Sequence, residues 1–177
     1  MNIERVTNTV ENKSIKKVRY FSPIFREINN TKFDKISFSF SNLKEKKCVL
    51  ITENFAWLDK YTKDKLYEKD PVCEWEDKTL YNLRRLNKST DFIDINSIHD
   101  HENGQLMRQI RKNYNIKSGG VSVTQFDDIV LSIGWWSSQE DLNFLQNYGT
   151  PNNRQNFEKI IKDILFIYYQ NKTVIFK

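Results

Sequence analysis

"GVSVTQFDDIVLSIGWW", Gly120 to Trp136, is the clearest hairpin in the chain. Its two runs, "GVSVTQF" and "DIVLSIGWW", are rich in strand-forming residues and meet near Asp127 and Asp128. Successive strand residues face opposite sides, so Trp135 and Trp136 are expected to pack in the core on alternate faces of a sheet. Two more strands lie towards the N-terminus. In "KISFSFSN" the residues Ile36, Phe38 and Phe40 alternate with Ser and Lys, the two-residue repeat of a half-buried strand. "KKCVLIT", with Cys48 to Ile51 as a short apolar run, reads as its neighbour. "DFIDI" is either a short strand or an extended edge.

The period is different on either side of these runs. Val18, Phe21, Phe25 and Ile28 follow helical spacing, with Ser22 and Pro23 as an N-cap and first-turn pair that restarts or kinks the helix. The segment from Phe55 to Tyr61 returns to helix. "EWEDKTLYNLRRLNKSTDFIDINSIHDHENG" reads as a polar region, after which Leu106, Ile110 and Tyr114 set up a helix that ends before "SGG". Phe157, Ile161, Ile164, Leu165 and Tyr168 make the apolar stripe of a last helix. Helices, then strands, then helices imply an α+β fold with a central antiparallel sheet covered by helices on both faces.

The chain has 177 residues, enough for one domain with a full core. Phe, Tyr and Trp make 14% of it, while only five Gly and three Pro are present, which suits a packed core with room for an aromatic-lined pocket. No apolar run approaches a membrane span, and the N-terminal stretch lacks the apolar centre of a secretory signal, so a soluble cytoplasmic protein is expected. The net charge of +5 is spread among alternating acids and bases as on a solvated surface, and does not by itself select nucleic acid. Cys48 and Cys73 belong to no CxxC pair. His99 and His101 in "IHDHENG" lack distant partner ligands, so no metal is expected. Neither a GxSxG elbow nor a phosphate loop occurs, and neither a catalytic residue nor a cofactor is assigned.

"WLDKYTKDKLYEKDPV", Trp57 to Val72, carries the functional question. Trp57 and Tyr61 stand four apart and share a helix face, and Pro71 holds Asp70 extended. A ring-walled site with an indole donor and a carboxylate acceptor suits a small amphipathic ligand offering a carbonyl and an N–H. The plainer reading is that Trp57 and Tyr61 are core residues and Asp70 braces a turn.

This stretch resembles the ligand-binding domain of LuxR-type quorum-sensing transcription regulators, in which a Trp, three residues and a Tyr are followed by Asp-Pro. "NIKSGGVSV" is similar to the family's segment in which a helix ends before a core strand. The resemblance covers nearly the whole chain and implies an α/β/α sandwich binding an acyl-homoserine lactone between sheet and helices. It implies that Trp57 donates to the lactone carbonyl, Asp70 accepts from the ligand's amide N–H, and Tyr61 packs on the acyl side. Pro71 would fix the backbone and Gly120 would allow tight entry to the strand. Departures fall at Glu53, where the family tends to have Tyr, at Phe92, the best candidate for a second Trp, and at Thr124, where Pro is common. With Ser132, the expected ligand-binding set is Glu53, Trp57, Tyr61, Asp70, Phe92 and Ser132.

The implied organisation is a ligand-binding domain over residues 1–170, with 171–177 starting a linker or tail and no helix-turn-helix domain present. DNA would be reached only through such a further domain. A homodimer through the last helix or the face of the first is expected. The expected function is a small-molecule sensor, and the alternative is a ligand-free dimerisation module of the same fold.

Overall fold

Strand β1, Lys35–Asn42, buries Ile36, Phe38 and Phe40 as its sequence announces but buries Ser37 between them as well, because it lies second from the edge of a five-stranded antiparallel sheet covered on both faces. The computed structural model describes residues 17–28, 33, 35–45, 47–86, 90–98, 102–141 and 151–176. Helix α1 spans Ser22–Ile28; strand β2 Lys47–Thr52; helix α2 Phe55–Lys63; helix α3 Pro71–Leu86; and strand β3 Thr90–Asp94. Helix α4 spans Glu102–Asn113, strand β4 Ser118–Phe126, strand β5 Ile129–Ser137 and helix α5 Pro151–Ile175. The strand order is β2-β1-β5-β4-β3. The hairpin of β4 and β5 turns through Asp127 and Asp128, with Asp127 at φ 49°, a left-handed conformation that Asp tolerates.

The two faces of the sheet carry different cores. One face presents Ile36, Phe38, Phe40, Leu131, Ile133 and Trp135 to α1 and α5, whose Ile24, Phe25, Phe157, Ile160 and Ile164 close over them together with Phe21 just before α1. The other presents Val121, Val123, Val130 and Trp136 to α2, α3 and α4, which contribute Trp57, Val72 and Met107. The same face carries hydroxyls on β1 and β5, because register pairs Ser39 with Ser132 and Ser37 with Gly134. Helices therefore cover both faces, as the sequence predicts. Trp135 and Trp136 do pack on opposite faces, and each indole donates to a serine hydroxyl, Ser122 at 3.0 Å and Ser37 at 2.8 Å.

Several expectations need correction. The polar stretch after Trp75 continues α3 for 16 residues from Pro71, an amphipathic helix whose charged outer face conceals its period. Helix α4 turns Met107 and Arg111 inward and leaves Leu106 40% exposed, while the expected Ile110 and Tyr114 do pack, half-buried, against the same core. Helix α5 runs past residue 170 to Ile175, which is fully buried, although Lys172, Thr173 and Val174 on the same turn are exposed. The N-terminal helix breaks at Phe21, as Ser22 and Pro23 suggest, but the Ser22 hydroxyl donates back to the Arg19 carbonyl at 2.9 Å rather than capping α1. His99 and His101 lie outside the described residues. No helix among the described residues is long and apolar enough to cross a membrane.

Candidate functional site

Trp57 is set by the cap of its own helix. The Asn54 side chain accepts from the Trp57 backbone N–H at 3.2 Å and fixes the first turn of α2. Tyr61 follows one turn later with its ring 5.1 Å from that of Trp57, and Tyr114 at the end of α4 closes a third side at 5.6 Å. The end of α4 is tied down from two directions: Lys35 Nζ donates to the carbonyls of Tyr114 and Asn115, and the Asn54 amide reaches the Tyr114 carbonyl at 3.4 Å. A lysine at exposed carbonyls of a helix C-terminus also complements the helix dipole.

Asp70 has two jobs. It caps α3, accepting from the Val72 N–H through Oδ1 at 3.0 Å, with Pro71 at the position where a missing N–H costs nothing. Its carboxylate also holds the buried guanidinium of Arg111, whose Nη2 lies 2.8 Å from Oδ1 and 2.6 Å from Oδ2. Tyr61 adds a hydroxyl donor to Oδ2 at 3.1 Å. With the Tyr61 proton committed to Asp70, the Cys73 thiol at 3.3 Å is the donor to the Tyr61 oxygen. Arg111 is completed by the face of Trp136, 5.9 Å from the guanidinium carbon.

The expected ligand contact of Asp70 is thus replaced. Two contacts on each oxygen use the acceptor capacity of the carboxylate, and none remains for a ligand's amide N–H. Phe92 is also misplaced by the sequence reading. In register with Ser122, it points to the α1 and α5 face, opposite Trp57, and its ring lies over Gly120. Gly120 is needed for that packing, since a Cβ there would stand 2.2 Å from Phe92 Cζ. Glu53 is exposed on the bend before α2, where partial desolvation raises its carboxyl above the ordinary range.

Trp57, Tyr61, Asp70 and Ser132 remain on the α2 to α4 side. Sequence reasoning missed Arg111, Tyr114 and Trp75, which packs against the same cluster. Arg111 carried a usable signal, for a lone cation four residues after Met107 and three before Tyr114 stands in an otherwise apolar helical stripe.

Among the polar groups here without a hydrogen bond to the described residues are the Trp57 indole N–H and the Ser132 hydroxyl, on residues 6% and 8% exposed. Neither is sealed, because the single enclosed and unpaired side-chain polar atom among the described residues is Arg108 Nε. They face space that a small molecule or water can reach. No protein-family model matches the chain, and no curated protein matches it in sequence.

Proposed function

We propose that the chain is a small-molecule sensor domain of the LuxR type, working in the cytoplasm and folding around an amphipathic signal related to acyl-homoserine lactones. The observation that carries this reading is the unpaired indole N–H of Trp57, left reachable on a buried side chain that packs against the rings of Tyr61 and Tyr114 between the sheet and its helices. A buried donor left open beside aromatic walls suits a ligand carbonyl, while Trp135 and Trp136 have internal acceptors already. Native mass spectrometry of protein purified from its own host tests it: a co-purifying small molecule that is lost from Trp57→Phe is the expected result. An empty protein that gains no thermal stability from N-acyl-homoserine lactones of any chain length contradicts it.

The second reading, a ligand-free dimerisation module, is favoured by Phe166 and Tyr169, which stand 62% and 52% exposed on α5. Both readings include a homodimer through this helix. Light scattering at high concentration should give twice the monomer mass, and Phe166→Glu should halve it; a parent chain that stays monomeric removes the dimer from either reading.

A further inference from the structure

Arg111 is 4% exposed, and only one of its three guanidinium nitrogens is used. Nη2 makes both bonds to Asp70. The Nε–H and the Nη1 hydrogens have no acceptor among the described residues. They are not sealed in, since Arg108 Nε alone is both enclosed and unpaired among those residues. Donors of a charged group left open beside a buried ion pair take an acceptor from water or from a ligand oxygen. Trp57 stands in the same cluster with an open N–H of its own, linked to Arg111 through Tyr61 and Asp70.

We propose that Arg111 is a ligand-recognition residue, and that the molecule bound on this face is neutral and held through carbonyl oxygens, with no N–H that Asp70 must accept. The proposal rests on the sensor reading and names its ligand class. The site offers donors from Arg111 and Trp57, while the Asp70 carboxylate is already saturated. Asp70 also matches the charge of Arg111 at 2.6 Å, so a ligand carboxylate would bring an uncompensated buried charge. A ketone, ester or lactone oxygen accepts from the open guanidinium N–H groups without that cost.

The test compares two neutral probes on the full chain by calorimetry, N-octanoyl-homoserine lactone and its counterpart with the amide N–H replaced by an ester oxygen, with the ring-opened carboxylate of the first measured beside them. The expected result is that the ester binds as tightly as the amide or more so. Arg111→Lys, which keeps a cation for Asp70 but removes the spare N–H groups, should weaken both by about ten-fold or more. In the parent chain, whatever the variant does to folding, the Arg111 Nε–H NMR signal should shift with either probe. A preference of ten-fold or more for the amide, an unmoved Arg111 signal, or tighter binding of the ring-opened carboxylate overturns the inference and leaves the sensor reading standing. Binding of neither probe overturns both.

Discussion

At the scale of single residues, Asp70 shows how one side chain can be half read. Its place before Pro71 marks it as extended and able to brace a turn, and it does cap α3. The partner that decides its chemistry, Arg111, lies 41 positions away, and no local pattern brings the two together. Breaking a buried pair leaves one charge uncompensated, so Arg111→Met should cost about 3–5 kcal/mol in urea unfolding. Adding Asp70→Asn removes the stranded charge, and the double variant should be more stable than Arg111→Met alone. If the double variant is the less stable, Asp70 and Arg111 are not the coupled pair the geometry describes. Tyr61→Phe loses one bond to a carboxylate that keeps three others, and should cost about 1 kcal/mol in the same measurement.

At the scale of elements, strands were more legible than helices. The alternation of Ile36, Phe38 and Phe40 and the run from Gly120 to Trp136 give β1, β4 and β5 nearly to the residue, because a two-residue period survives in short segments. Helix α3 escaped because, among its described side chains, only Val72 and Thr79 are buried, and Glu74, Glu76 and Lys78 stand between them. Phe92 was assigned to the wrong face because a one-residue difference in register reverses every side chain, and "DFIDI" alone does not fix register. The contact of Phe92 over Gly120 is testable: Gly120→Ala should cost about 1–3 kcal/mol through overpacking, and shortening Phe92 to Leu in the same chain should return part of it. A neutral Gly120→Ala would mean that β3 lies elsewhere.

Helix α4 is also pinned from its outer side, where Glu140 beyond β5 meets Lys112 at 3.3 Å and Arg108 at 3.1 Å. Hydrogen bonding to Lys112, then its charge, and then Arg108 hold the Glu140 carboxyl below its usual value of 4.5. A folded-state value below the unfolded one stabilises the fold above 4.5, and that contribution is lost as pH falls through the lowered value. The difference in thermal midpoint between the parent and Glu140→Gln should therefore be present at neutral pH and vanish in acid; a gap that persists in acid contradicts the pairing.

At the scale of the whole molecule, the sequence conveyed the layered fold but not the difference between its two sides. One side is an aromatic core closed by α1 and α5, and its contacts reach Ile175 and Phe176. Ile175→Ala should cost about 2–5 kcal/mol, whereas a tail beginning at residue 171 would make it neutral. The other side mixes serine hydroxyls, rings and a buried ion pair, and there the sequence supplied Trp57 and Tyr61 while hiding the cation between them and the sheet. The claim that this second side is a ligand site is tested most directly by following the indole N–H signals by NMR as N-octanoyl-homoserine lactone or its ester counterpart is added. The Trp57 signal should move strongly, while that of Trp135, bonded to Ser122 on the far face, stays in place. An unmoved Trp57 signal at saturating probe, or movement confined to Trp135, would contradict it.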